Sequence, residues 1–267
     1  MRRLGLIAGN GVFPLEVART ARRQGWRIVA VAHIGETDPS LAEVADAVTW
    51  LKVGELQRII DVFKDAGVGE AAMAGGISRA RLPHAFAPDN RAMMMLARLG
   101  RFSDDSVLRG IAAELESEGI RVIDPVPMLD NALALEGLLA GPAPTAAQLA
   151  DLALAFAIAR ALGAFDVGQA VAVLNGVVAA VEAAEGTDAA LRRAASVCGK
   201  GLVVAKAAKP SQDLRFDRPA IGPTTIELLK ELDAAVIGIE AGTAMLLERE
   251  STLHRAGALN ITVYGYE

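Results

Sequence analysis

The sequence predicts an α/β protein of two α/β domains, the first a Rossmann-like parallel sheet and the second a mixed sheet, joined by a Pro-rich connector. Three observations predict it. The apolar content is 52 % but the aromatic content only 4 %, so the core is built from Ala, Val, Leu and Ile, the composition of helices packed on a largely parallel sheet. Short β-branched runs alternate with helical patterns in the first half. In the second half Asn175-Gly176 stands between two apolar runs, a hairpin signal because both residues tolerate positive φ.

In the first domain, residues 1–130, strands are expected at Leu4–Ala8, Arg27–Ala32, Ala71–Ala74 and Arg121–Ile123. Helical patterns fall between them at Pro14–Gln24, Glu55–Asp65 and Ser103–Glu118, which is β-α-β alternation. Prolines gather in Asp124-Pro-Val-Pro-Met and Gly141-Pro-Ala-Pro-Thr145, so 126–145 reads as a connector. The second domain, 131–267, opens with an Ala-rich helix over Ala146–Leu162. The hairpin strands Gln169–Leu174 and Val177–Glu182 follow, then a helix from Thr187 to about Ser196. A strand at Leu202–Ala205, a helix near Thr224–Leu232 and strands at Val236–Glu240 and Ile261–Tyr264 complete it.

A net charge of −5 gives no electrostatic footprint for a polyanion, so nucleic acid is not an expected partner. Cys198 is the only cysteine, which excludes an internal disulfide and suits a reducing compartment. The basic start, Met1-Arg-Arg, is followed by an apolar run that Gly9-Asn10-Gly11 breaks, so no export signal is expected. Leu149–Leu162 carries Asp151 and Arg160 and falls short of the roughly 20 apolar residues a bilayer requires. His33, His84 and His254 are scattered; without zinc-ligand spacing, any metal is expected to be hard and oxygen-bound, such as magnesium.

The densest chemistry lies in Lys206-Ala-Ala-Lys209-Pro210-Ser-Gln212-Asp213-Leu-Arg215-Phe216-Asp217. Two lysines, an arginine, a glutamine and two carboxylates follow a short buried strand, the place where α/β domains carry their active rims. Solvated surface is the plainer account of such a charge run. A second group is Asp166 with Glu182, Glu185 and Asp188; Thr187 or Asp188 fits an N-cap, whereas gathered carboxylates need a cation to offset their repulsion. The third is Gly5-Leu-Ile-Ala-Gly9-Asn10-Gly11-Val-Phe13-Pro14. It passes from the first strand into the first helix, where an anion is favoured, but it lacks G-x-G-x-x-G spacing. Glu36 gives only slight support to a dinucleotide site. Met93-Met94-Met95, in a helical pattern after the loop Leu82–Pro88, reads first as core filling.

Taken in order, the Gly5–Pro14 opening, Asp166-Val-Gly-Gln169-Ala170, Val181–Asp188 and Lys206–Asp217 resemble the LpxI family of UDP-2,3-diacylglucosamine pyrophosphatases, over essentially the whole chain. The resemblance implies a magnesium-dependent hydrolase, with manganese as the other candidate ion, that makes lipid X and UMP in lipid A biosynthesis of a Gram-negative cell. It implies a cytoplasmic homodimer acting on a lipid-linked UDP-sugar, with transient contact at the inner membrane surface. On this reading Asp213, Lys209, Gln212 and Lys206 are the expected catalytic residues. Gly9, Asn10, Gly11, Ser78, Gln169, Thr187 and Arg215 are expected to bind substrate. Asp213, Asp188, Asp166 and Asp217 are the expected metal ligands, and the apolar residues around Phe86 and Met93–Met95 the expected acyl groove. Two other functions fit the same residues: a pyrophosphatase for a non-lipid nucleotide sugar, and a nucleotide-binding regulatory module without catalysis.

Overall fold

The structure, a computed structural model, describes residues 2–78, 86–100, 103–210 and 212–267. The chain divides into two compact units. The first comprises Met1–Asp130 together with Asp213–Asp217, and the second Asn131–Gln212 together with Arg218–Glu267. His84 and most of the Leu82–Pro88 loop lie outside the described residues.

The first unit holds β1 (Arg3–Ala8), β2 (Arg27–His33), β3 (Ala47–Leu51), β4 (Glu70–Ala74) and β5 (Arg121–Val122) in one parallel sheet, in the order β3-β2-β1-β4-β5. The expected parallel sheet is present, with one strand, β3, that the sequence pattern did not reveal. Its run Ala-Val-Thr-Trp-Leu is only partly buried at an edge, so it lacks the continuous apolar signature of β1 and β2. Helix Phe13–Arg23 covers one face with Leu15, Val17, Ala18 and Ala21. The opposite face packs on Leu56, Ile59, Ile60 and Phe63 of helix Leu56–Asp65, and on Met95 and Leu115. The ends of β1 and β4 meet closely: a Cβ on Gly9 would lie 2.3 Å from the Gly76 carbonyl oxygen. Only glycine fits there.

The second unit holds β6 (Gly137–Ala140), β7 (Ala170–Leu174), β8 (Val177–Val181), β9 (Val203–Lys206), β11 (Val236–Glu240) and β13 (Thr262–Tyr266) in a six-stranded sheet of order β6-β13-β11-β9-β7-β8. Strands β9, β11 and β13 run parallel, and β6, β7 and β8 are antiparallel to their neighbours. A small parallel pair, β10 (Ala220–Ile221) and β12 (Met245–Leu246), stands beside it in the chain order. Part of 126–145 corrects the connector expectation: β6 is an edge strand paired with β13. Four residues between proline-rich flanks carry too little periodicity to show in the sequence. Helix Arg249–Ala258, rich in polar residues, was not expected either.

The Asn-Gly hairpin forms as expected, with φ of 50° at Asn175 and 78° at Gly176. The sequence did not show what holds it. Asp151, 6 % exposed, accepts hydrogen bonds from the Asn175 and Gly176 N–H groups at 2.9 and 2.7 Å. Asp151 belongs to helix Ala146–Gly163, which is long and apolar enough by composition to cross a membrane. In the structure Leu152, Ala155, Phe156 and Ala159 of that helix are instead buried against β7, β9 and β11, and Gly238 makes room for it: a Cβ there would meet Leu152 at 2.5 Å. Asp151→Ala is expected to cost about 2–3 kcal/mol through two lost charge-assisted bonds. Equilibrium denaturation measures this, and a loss below about 0.5 kcal/mol, the scale of an ordinary surface substitution, would contradict the bracing role.

Candidate functional site

In the second unit, the C-terminal end of β9 leads into the charged loop. Lys206 is the last residue of β9, and its Nζ donates to the Ala220 carbonyl at 2.9 Å. The Lys209 Nζ lies 2.5 Å from Asp166 Oδ1, and Asp166 itself adopts φ of 60°. Gln212 folds back: its Oε1 accepts from the Lys209 N–H and its own N–H donates to the Lys209 carbonyl, both at 3.0 Å. Its Nε2 is buried with no hydrogen-bond partner among the described residues. A buried amide donor left without an acceptor costs free energy.

Glu182 organises the neighbouring turn. Its Oε2 accepts from the Gln169 and Ala170 N–H groups at 3.2 and 3.0 Å, and its Oε1 accepts from the Thr187 hydroxyl at 3.0 Å. Thr187 and Gln169 are therefore brought together through one carboxylate. The Oε1 of Gln169 is buried with no partner among the described residues. The N-cap expectation is corrected: the cap position of helix Thr187–Cys198 is Gly186, without a side-chain cap, and Thr187 is the first helical residue. Asp188 lies exposed in the first turn, and Glu185 pairs with Arg193 at 2.6 Å. The base of the loop is held by a residue the sequence did not single out. Glu240, ending β11, accepts from the Ala208 N–H at 2.9 Å and from Arg160 at 2.8 Å.

Asp213–Asp217 belong to the first unit. Arg215 grips Asp213 with two hydrogen bonds, Nε to Oδ1 at 3.0 Å and Nη2 to Oδ2 at 2.8 Å. Its Nη1 reaches Glu116 at 2.8 Å. Arg109 stands 3.6 Å from Asp213 and bonds Asp105 at 2.6 Å, and Asp105 accepts the Asp213 N–H at 3.1 Å. The Arg215 guanidinium holds the Asp213 carboxyl below its usual range, against the opposing effect of burial. Phe216 packs on the first unit's core. The N–H of Asp217 donates to the Asp213 carbonyl at 3.1 Å. Asp105 and Arg109 were missed by sequence reading, although their i,i+4 spacing on a helical pattern was the available signal.

At the ends of β1 and β4, Asn10 and Ser78 meet on Glu36. The Asn10 Nδ2 and the Ser78 N–H both donate to Glu36 Oε2, at 2.9 and 3.0 Å. Gly11, at φ of 83°, leads into the helix that begins at Phe13. His33 is 6 % exposed, and burial lowers its pKa from 6.5, while a backbone contact with Leu51 and the charges of Glu36 and Glu55 act the other way. The fold therefore favours the neutral imidazole. This contribution to stability is present above pH 6.5 and is lost as pH falls through the unfolded value toward the folded one. The melting temperature of the wild type is expected to fall more between about pH 7 and about pH 5 than that of His33→Gln; parallel curves would contradict it.

The four expected metal ligands are divided between the units: Asp166 and Asp188 in the second, Asp213 and Asp217 in the first. Among the described residues no group of three or more His, Cys, Asp and Glu side chains is gathered to hold a metal. Asp213 and Asp166 instead engage Arg215 and Lys209. Their oxygens suit a hard cation by type, but their arrangement is that of ion pairs. Of the expected acyl residues, Met93, Met94 and Phe86 are 54 %, 55 % and 43 % exposed, whereas Met95 is core. The cleft that Met94 lines is otherwise polar, with Gln57, Asp89, Arg91, Arg98 and Glu114.

Family models match almost the whole chain. The one described as LpxI N-terminal domain matches residues 3–132, and the LpxI C-terminal domain matches residues 135–264. A curated relative from Caulobacter vibrioides, UDP-2,3-diacylglucosamine pyrophosphatase LpxI, is 34 % identical over 278 residues, covering 100 % of this chain and 98 % of the relative. Among solved structures, CobK precorrin-6A reductase aligns over 98 % of this chain and 86 % of its own, at 16 % identity and a TM-score of 0.35. Phosphoribosylglycinamide synthetase from Anaerococcus prevotii aligns over 74 % of this chain and 43 % of its own, at 10 % identity and a TM-score of 0.28. Both scores are too low to bear on fold or function.

Proposed function

The chain belongs to the LpxI family, and from that premise we propose that it hydrolyses UDP-2,3-diacylglucosamine to 2,3-diacylglucosamine 1-phosphate (lipid X) and UMP, as a step of lipid A biosynthesis. The observation that carries the proposal is the 34 % identity to a pyrophosphatase of that name across the full length of both chains.

Water attacks the α-phosphorus, a new P–O bond forms to UMP, and the bridging oxygen leaves with the sugar phosphate. Negative charge grows on the nonbridging oxygens and on the leaving group, so the catalytic task is to place cations and donors around both. Lys206, Lys209 and Arg215 supply the positive charge. The buried Nε2 of Gln212, without a partner among the described residues, donates to a phosphate oxygen or to the attacking water. Asp213 is the carboxylate that orients this chemistry and fixes Arg215, to which it is doubly bonded. Gln169, Thr187 and the Gly9–Gly11 turn with Ser78 bind the rest of the substrate.

Magnesium is proposed as cofactor, with manganese as substitute, on donor chemistry alone: the carboxylate oxygens of Asp166 and Asp188 in one unit and of Asp213 and Asp217 in the other are of the hard type such ions prefer. If bound, such an ion would supply Lewis-acid stabilisation of the charge that develops on the phosphoryl oxygens. A cytoplasmic homodimer that touches the inner membrane surface to collect its diacylated substrate completes the proposal. Incubation with UDP-2,3-diacylglucosamine, with magnesium or with excess EDTA, tests it by the products formed. Magnesium-dependent lipid X and UMP support it. Equal turnover of UDP-glucosamine without acyl chains would move the substrate to the non-lipid class, and tight UDP binding without hydrolysis would move the protein to a regulatory module.

A further inference from the structure

Two elements of the second unit grip the charged loop between its exit from β9 and Lys209. Glu240, the last residue of β11, lies just past the ladder that pairs Ile239 with Lys206. Its side chain extends that ladder: Oε2 accepts from the Ala208 N–H at 2.9 Å. Its Oε1 accepts from Arg160, through Nε at 3.2 Å and Nη2 at 2.8 Å. Arg160 is fixed in turn, because Nη2 also donates to the Glu267 carbonyl at 2.6 Å and the guanidinium carbon stands 5.6 Å from the centre of the Phe156 ring. The Glu240 side chain is only 17 % exposed, so both oxygens make charge-assisted bonds partly shielded from water. Helix Ala146–Gly163, which carries Arg160, meets the loop again at its end. A Cβ on Gly163 would lie 3.3 Å from both Lys209 Cα and Pro210 Cδ. Just beyond the helix, Asp166 pairs with the Lys209 ammonium.

We propose that Glu240, held by Arg160, is a positioning residue: by fixing the main chain at Ala208 it sets where the Lys209 ammonium meets phosphate. A lysine carries its charge on a flexible stem, so the ammonium is placed only as well as the backbone beneath it. Asp166 restrains the far end of that stem and Glu240 the near end. Neither Glu240 nor Arg160 touches substrate in this role. The catalytic consequence rests on the proposed pyrophosphatase function; the grip on the loop does not.

The test is steady-state hydrolysis of UDP-2,3-diacylglucosamine by full-length Glu240 variants, beside hydrogen exchange of the peptide that contains Ala208. Glu240→Ala should lower kcat about tenfold with KM within about twofold, a smaller loss than removal of the ammonium itself. Glu240→Gln should recover kcat to within about threefold, because one amide oxygen can serve only one of the two donors that the carboxylate now serves. In a Lys209→Met background, Glu240→Ala should cost less than about a further twofold, as expected of a residue that acts through Lys209. A purely structural role would lower the melting temperature and leave kcat per folded molecule unchanged. If Glu240→Ala fails to fold, Arg160→Met, at a side chain 41 % exposed, should show the same dependence on Lys209. Unchanged kcat in the folded variants, or the same loss with and without Lys209, would overturn the inference and leave the function standing. A wild type that does not hydrolyse the substrate would remove the function instead. Exchange then decides the grip: the Ala208 amide should exchange about tenfold faster in Glu240→Ala, and equal rates would overturn it.

Discussion

Asp213→Asn is expected to lower kcat about 10²-fold, the scale of losing one donor aimed at developing charge, because it frees the Arg215 guanidinium that Asp213 holds in place. Asparagine keeps the volume but loses the charge, and its amide cannot accept both guanidinium bonds that Asp213 takes from Arg215. Arg215 would then be drawn toward Glu116, its other partner at 2.8 Å, and away from the place it occupies in the loop. The fold should survive, because the segment also rests on Phe216 in the core and on the Asp213 N–H bond to Asp105. Breaking a partly buried pair is expected to cost about 1–3 kcal/mol. Steady-state kinetics beside thermal melting separates the two effects. Full turnover in a folded Asp213→Asn protein would remove this residue from the mechanism.

Lys209→Met should produce a loss of similar size, about 10²-fold in kcat, because it deletes one of the few cations set to neutralise the diphosphate. The ion pair with Asp166 allows a sharper comparison. If Lys209 works by meeting phosphate, and Asp166 tethers it rather than holding magnesium, Asp166→Asn should cost far less than Lys209→Met, since it removes the tether and not the charge. If instead the pair is structural, the two variants should lose activity and stability alike. Lys209→Arg keeps the charge and is expected to retain part of the rate. A double-mutant cycle over these variants measures how far the two residues act as a unit.

Much of the framework was legible in the chain because the signals were local. The Asn175-Gly176 turn declared its hairpin through two residues that accept positive φ, and β1 and β2 through continuous apolar runs. Strand β3 hid because it is an edge strand only partly buried, and β6 because four residues between prolines show no period. The site was legible as a list of residues and not as a set of partners. Lys206 to Asp217 stand together in the chain, yet Gln212 and Asp213 fall in different compact units. Two of the carboxylates expected to share a metal, Asp213 and Asp166, are matched with a guanidinium and an ammonium group. Chain order gives residue types at a strand's exit; it does not give which oxygen meets which nitrogen. Glu240 shows the same limit, since its grip on the Ala208 N–H spans 32 positions of sequence.

The most direct measurement is hydrolysis of UDP-2,3-diacylglucosamine in ¹⁸O-labelled water with magnesium, with both products read by mass spectrometry. The account predicts lipid X without label and UMP carrying one heavy oxygen, as attack on the α-phosphorus requires. Label in lipid X would place the attack on the other phosphorus, and no turnover at all would contradict the proposed function.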